Sequence, residues 1–228
     1  MSPTFVEDDK GVLVIGAPGQ ASIISSRVTV ETGAGGVLQR LRLNAGLTDN
    51  ASGSLTIVDS VVTGELTLTG GTDLQMFHNR FTGAGTGIRV AAASQGLIGY
   101  NDIGTGTLGL DLAFPFAGGI EGNAIHGAAT GVSYGARADL SANRIFGNTV
   151  GVRSTVSGSD GLGFIGDTPL LGVAEGRLQN EIYGNATGVI LVNANVQAQW
   201  IHGNTTGVSG SGTVGGSAFG HANLIEGN

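Results

Sequence analysis

Residues 143–152 read N-R-I-F-G-N-T-V-G-V, and residues 123–132 read N-A-I-H-G-A-A-T-G-V. Five further copies of this pattern begin at Asn79, Asn101, Asn180, Gln199 and Asn223. Successive copies begin 22, 22, 20, 37, 19 and 24 residues apart, and the longest interval fits one coil plus an insertion near residues 157–177. A repeat of about this length is typical of a solenoid, in which each copy stacks on its neighbours.

Each copy contains two short apolar stretches, one around the Ile of N-x-I and one around the Val of T-G-V. Glycine, Asn and Thr bound both stretches, which therefore have the length of strands rather than of helices. Strands of successive copies would pair at a spacing of about 4.8 Å. The pattern predicts an all-β fold, a single right-handed parallel β-helix of about ten coils over residues 11–228, preceded by a polar tail at residues 1–10.

Stacking of coils places equivalent residues above one another. It predicts one interior row of Phe81, Ile103, Ile125, Ile145, Ile182, Ile201 and Ile225, and a second of Ile88, Leu110, Val132, Val152, Val189 and Val208. Asparagine tolerates turn conformations, and its amide can bond to the amides above and below it. We therefore expect a structural ladder of Asn79, Asn101, Asn123, Asn143, Asn180 and Asn223, with a second, partial ladder of Asn148, Asn185 and Asn204.

Composition supports this fold and excludes several functions. Glycine supplies 43 of the 228 residues and charged residues only 12%, which suits many tight turns rather than helices. The net charge of −7 argues against nucleic-acid binding, and the lack of cysteine excludes disulfides and thiolate metal sites. No stretch is apolar enough for membrane insertion, and the start has no secretory signal. The chain is therefore either cytoplasmic or a segment of a longer secreted protein.

The consensus N-x-I-x-G-N-x-T-G-V resembles the parallel β-helix repeat of the pectin-lyase-like superfamily. The segments F-I-G-D, R-L-Q-N-E-I-Y-G-N and V-G-G-S-A-F-G-H-A-N-L-I-E-G-N resemble motifs of large bacterial surface and extracellular proteins. This resemblance implies an extracellular or cell-surface location within a longer chain. Known activities in the superfamily are mostly those of polysaccharide lyases, hydrolases and epimerases, and many members have no demonstrated activity.

Catalytic motifs of those relatives are absent from the sequence. The hydrolases resemble one another in N-T-D, D-D, G-H-G and R-I-K segments and the epimerases in D-P-H, whereas the adjacent aspartates here, Asp8 and Asp9, lie in the polar tail. An acid cluster for a calcium-dependent lyase could use Asp73, Asp102, Asp111 and Glu121. The repeat register instead puts Asp102 in one column with Arg80, Ala124, Arg144 and Glu181, which favours an exposed charge ladder. We predict no catalytic residue.

Metal binding has weak support. The histidines His78, His126, His202 and His221 show no metal-ligand spacing. The stretch S-G-S-D-G-L-G at residues 157–163 hints at a calcium loop, but a turn explains it better. We predict no metal site and no cofactor, with Ca²⁺ as the weaker alternative.

One outward column is a candidate binding site. The residue after the interior Ile is His126, Phe146, Tyr183 and His202 in four successive copies, and it should point to solvent. Flat rings can stack on sugar rings, so this row could bind polysaccharide. The alternatives are mutual stacking of the rings or cover by the 157–177 insertion.

Three functions remain open. The leading hypothesis is a non-catalytic rigid segment of a bacterial surface or extracellular protein, which presents or spaces other modules and could bind glycan. The second is a lyase or hydrolase acting on acidic polysaccharide. The third is a self-assembling element, because the sequence stops in mid-coil and exposed strand edges invite end-to-end pairing.

Overall fold

A computed structural model describes residues 4–5, 12–18, 22–31, 33, 35–50, 53–155, 179–215 and 222–228. Within these ranges the chain is all-β and forms a right-handed parallel β-helix of about nine turns. Every strand pairs in parallel with its equivalent in the neighbouring coil, and the pairs build three sheets, named A, B and C below. The predicted fold is confirmed.

Sheet A has ten strands, and it contains the T-G-V stretches of the repeat. Numbered in chain order, its strands are β1 (Thr4–Phe5), β4 (Val28–Val30), β7 (Leu47–Asp49), β10 (Leu66–Leu68), β13 (Thr86–Val90), β16 (Leu108–Leu112), β19 (Thr130–Tyr134), β22 (Val150–Ser154), β24 (Thr187–Val196) and β26 (Thr206–Val214). The outermost strand β1 pairs with β4 and lies within the residues for which the sequence predicts a tail.

Sheet C also has ten strands and contains the N-x-I stretches. Its strands are β3 (Ser22–Ile24), β6 (Leu41–Leu43), β9 (Val61–Thr63), β12 (Arg80–Gly83), β15 (Asp102–Thr105), β18 (Ala124–His126), β21 (Arg144–Phe146), β23 (Asn180–Tyr183), β25 (Gln199–His202) and β27 (Leu224–Glu226). Strand β21 pairs directly with β23, so these two strands are only one strand spacing apart along the axis despite the long sequence interval between them. The insertion predicted at residues 157–177 lies outside the described residues.

Sheet B is a third sheet that the repeat pattern does not predict. Its seven strands are β2 (Val12–Ile15), β5 (Gly36–Gln39), β8 (Ser54–Val58), β11 (Asp73–Phe77), β14 (Ser94–Gly99), β17 (Phe116–Glu121) and β20 (Ala138–Ser141). These segments share no motif, because their outward residues vary and glycine occupies several positions in β14 and β17. From β2 to β20, each coil is therefore a triangle of three strands rather than a pair.

Both predicted interior rows exist in register. The row from Phe81 to Ile201 is fully buried on the inner face of sheet C, and the row from Ile88 to Val189 is equally buried on sheet A. The last residue of each predicted row is less buried, since Val208 is only partly buried and the Ile225 side chain is 42% exposed. Its strand β27 has a paired neighbour on one side only, so the described residues leave its inner face uncovered.

The asparagine ladder is also confirmed. Asn79, Asn101, Asn123, Asn143 and Asn180 are buried at the corner between sheets B and C. From Asn101 onward, each side-chain oxygen accepts hydrogen bonds from the backbone N–H and the amide of the asparagine one coil before it, at 2.8–3.0 Å, while the Asn79 oxygen accepts from the Ser60 N–H. Gln199 continues the column, because its Oε1 accepts from Asn180 at 3.0 Å, and Asn223 accepts from the backbone of Gln199. Hydrogen bonds along the axis thus join the coils at this corner.

A second ladder runs along the corner between sheets C and A. Asn148, Asn185 and Asn204 repeat the same bonds, and the column extends to Asn228, whose oxygen accepts from Asn204 at 2.8 Å. The adjacent glycines are needed for close approach of the coils. A Cβ on Gly151 would lie 2.5 Å from the carbonyl oxygen of Gly188 and 3.0 Å from the Asn185 amide.

Candidate functional site

The outward face of sheet C carries the predicted row of rings. His126, Phe146, Tyr183 and His202 occupy one register position on β18, β21, β23 and β25. Ring centroids of successive neighbours are 5.1, 5.2 and 5.3 Å apart, and the planes are tilted by 22°, 13° and 5°. The parallel register therefore produces a continuous stack, called the ring row below.

The two ends of the ring row have different neighbours. On one side, the His126 ring lies over Gly104, where an added Cβ would be 2.9 Å from His126 Cε1. On the other side, the Trp200 indole stacks on His202 with centroids 4.3 Å apart. Trp200 also donates from Nε1 to Glu226 Oε1 at 3.1 Å. The indole therefore adds a fifth ring in the adjacent column.

Each histidine of the row is oriented by a hydrogen bond to a carboxylate. His126 Nε2 lies 2.7 Å from Asp102 Oδ1, and His202 Nε2 lies 3.0 Å from Glu181 Oε1. Both carboxylates stand one strand away and two positions earlier in register, so the two pairs have the same diagonal geometry. An ionised carboxylate only accepts hydrogen bonds, so Nε2 carries the proton in each pair.

Mutual stacking determines which ring surfaces a ligand can reach. Rings that lie nearly parallel at these distances cover part of each other's faces. The outer edges of the rings and the uncovered part of each face remain toward solvent, and Phe146 and Tyr183 are half-buried. Arg144 adds a guanidinium 5.8 Å from the centre of the Phe146 ring. The binding role of the row remains a prediction.

A shallow groove of about 440 Å³ runs beside the row, at the corner between sheets C and A. Its lining includes Gly127, Gly147 and Gly184, each of which directly follows a ring residue in the sequence. A Cβ on Gly147 or Gly184 would meet no atom within 4 Å, so the space above the backbone is open. The groove thus runs parallel to the solenoid axis beside the ring row, and the glycine that follows each of three rings forms part of its wall.

The acids that could have formed a lyase site do not come together. Asp102 lies on sheet C and Asp111 on sheet A, while Asp73 and Glu121 lie at opposite ends of sheet B strands. Asp102 pairs with Arg80 at 3.4 Å in the expected charge ladder, and Asp111 pairs with Arg89 at 3.6 Å. The structure therefore contradicts a calcium cluster of these four residues.

In the part of the chain that the structure describes, no three His, Asp or Glu side chains come close enough to hold a metal ion. The same part contains no helix that could span a membrane. The stretch at residues 157–163, together with Asp8, Asp9 and His221, lies outside the described residues.

Comparison of the chain with protein families, with curated proteins and with solved structures gives no match in any of the three.

Sequence reasoning found the ring row but missed three features around it. The repeat does not indicate Trp200, because it occupies the neighbouring column on β25 rather than the column after the interior Ile. The predicted charge ladder contains Asp102 and Glu181 but not their hydrogen bonds to the histidines. Their signal is present in the sequence, since in both cases an acid precedes the histidine by one repeat plus two positions.

Proposed function

We propose that this chain is a non-catalytic, rigid β-helix segment of a bacterial surface or extracellular protein, which spaces or presents other modules. The observation that carries the proposal is the unbroken pairing of sheet C from β3 to β27. Two ladders of buried amides join consecutive coils along part of this length, from Asn79 and from Asn148 onward. Bending the rod would break hydrogen bonds in both ladders and in the sheets, so stiffness follows from the pairing.

Rigidity is testable with two spin labels on one outward column. Arg42 and Leu224 are separated by eight strand spacings, or about 38 Å. Because the chain has no cysteine, Arg42→Cys with Leu224→Cys gives specific labelling. Pulsed EPR should give a single narrow distance distribution that stays unchanged when crowding agents or glycerol are added. A broad or multimodal distribution would reject a rigid spacer.

The ring row favours glycan binding as a second function of the same segment. Five rings form one patch, and polar side chains able to hydrogen-bond hydroxyl groups surround it. Sugars present both C–H faces and hydroxyls, so aromatic surface beside carboxylates suits them. We infer that a glycan lies against the outward face of sheet C.

A glycan array tests this binding directly. Replacing Phe146 and Tyr183 together by Ala should abolish array binding, whereas exchanging them as Phe146→Tyr with Tyr183→Phe should preserve it. Tyr100→Ala is a matched control, because Tyr100 is an exposed aromatic residue on a different corner of the coil. Circular dichroism checks that each variant keeps its β-structure. Array binding that is unchanged in the double-alanine variant rejects the site.

A further inference from the structure

The geometry points to a neutral, chain-like polysaccharide that lies parallel to the solenoid axis, in contact with the ring row and the adjoining groove. This inference rests on the proposed glycan binding and specifies its ligand class. It differs from the acidic polysaccharide named in the second function hypothesis.

Charge around the ring row favours a neutral ligand. Asp102, Glu181 and Glu226 all have a carboxylate oxygen within hydrogen-bond distance of a ring nitrogen of the patch. Of the two cations near the row among the described residues, Arg80 is paired with Asp102 and Arg144 lies beside Phe146. The whole chain has 17 acidic and 10 basic residues, so its overall field also repels an anionic polymer.

The same carboxylates retain capacity to bind hydroxyl groups. Each carboxylate has about four lone-pair sites, and the bonds to His126, His202 and Trp200 occupy one oxygen of each. A sugar hydroxyl can donate to the remaining positions while C–H groups of the same sugar contact ring edges. Carboxylates of an acidic sugar would instead face carboxylates of the protein.

The shape of the site favours a polymer over a single sugar. The ring row spans four coils, so its centres extend over three strand spacings, or about 14 Å. The groove follows the same direction, because Gly127, Gly147 and Gly184 repeat once per coil. A chain of several sugars can contact both features at once, and its affinity should increase with length up to that span.

The groove can be blocked without touching a ring. Ala186 is exposed in the groove lining, and Ala186→Trp would place an indole in the groove. Ala117→Trp is the matched control, since Ala117 is an exposed alanine on sheet B. Affinity electrophoresis and calorimetry at low salt would compare hydroxyethylcellulose, xylan and galactomannan with polygalacturonate and alginate.

We expect at least one neutral polymer to bind, and Ala186→Trp to weaken that binding about tenfold while Ala117→Trp leaves it unchanged. Polygalacturonate and alginate should bind at least about tenfold more weakly at low salt, with the gap narrowing as salt screens repulsion. Tighter binding of an anionic polymer that depends on Phe146 and Tyr183 would overturn the neutral ligand class and leave glycan binding intact. If Ala186→Trp and Ala117→Trp weaken binding equally, the groove is not part of the binding site. If none of the polymers binds and the glycan array also shows no binding, the proposed glycan binding itself is rejected.

Discussion

Replacing Asn123 by Ala should destabilise the solenoid more than any comparable surface change. Asn123 is 1% exposed, and its side chain makes four hydrogen bonds at 2.8–3.0 Å. Its oxygen accepts from the backbone and the amide of Asn101, and its amide donates to Ile98 and Asn143. The fifth bond, from its own backbone N–H to Asn143, survives in the variant.

The size of the effect follows from these contacts. A buried hydrogen bond contributes about 1 kcal/mol net, so four lost bonds reduce the free energy of unfolding by about 4 kcal/mol. The alanine also leaves the Asn101 backbone N–H without its described partner in a site closed to water, which adds to the loss. Asn223 makes two described side-chain hydrogen bonds and is only partly buried, so Asn223→Ala should cost about half as much.

Guanidinium denaturation followed by circular dichroism measures this difference. The control is Asn44→Ala, because Asn44 is exposed and its side chain accepts one bond from Arg42 at 3.2 Å. We expect the control to stay within about 0.5 kcal/mol of the parent chain. If Asn123→Ala unfolds at the same denaturant concentration as Asn44→Ala, the ladder does not stabilise the fold and the reasoning is wrong.

Three further substitutions test the interior. Tyr134→Phe should cost about 1–3 kcal/mol in denaturation experiments, because the Tyr134 hydroxyl both donates to the Ala138 carbonyl at 2.9 Å and accepts from its N–H at 3.2 Å; a loss below about 0.5 kcal/mol contradicts this. Ser154→Ala should raise the thermal midpoint, since the buried Ser154 hydroxyl has no hydrogen-bond partner among the described residues, and a lowered midpoint contradicts this. Gly109→Ala should cost about 1–3 kcal/mol, because its Cβ would lie 2.5 Å from the Gly131 carbonyl oxygen and 2.6 Å from Ile125 Cγ2. Parental stability of the Gly109 variant, again by denaturation, would refute that close approach.

The interior and the ladders were predictable because each repeats a residue type at a fixed place. Ile125 and Ile145 mark one inner face, and Asn123 and Asn143 mark one corner, so stacking alone fixes their neighbours. Gln199 occupies the ladder position in its coil although it is not an asparagine. Its longer side chain still accepts the hydrogen bond from the Asn180 amide, but residue identity alone does not predict that it belongs to the ladder.

Sheet B could not be predicted from repetition, because its strands are held by backbone pairing and by varied inward side chains such as Leu74, Ile98 and Ile120. The details of the ring row escaped prediction for a different reason. The hydrogen bonds of His126 to Asp102 and of His202 to Glu181 depend on the direction of the side chains across a strand pair. A register defines which residues are neighbours, but not which diagonal partner a long side chain reaches.

The central claim is that successive copies of the repeat lie directly over one another, and the pair Arg144 and Glu181 tests it most sharply. These residues are 37 positions apart in sequence yet adjacent in register, so their strands should be about 4.8 Å apart. With spin labels on Arg144→Cys and Glu181→Cys, continuous-wave EPR should show strong spin exchange, whereas labels on Arg144→Cys and Leu224→Cys, three strand spacings apart, should show none. Separate, unbroadened spectra from the Arg144 and Glu181 labels would contradict the stacked solenoid.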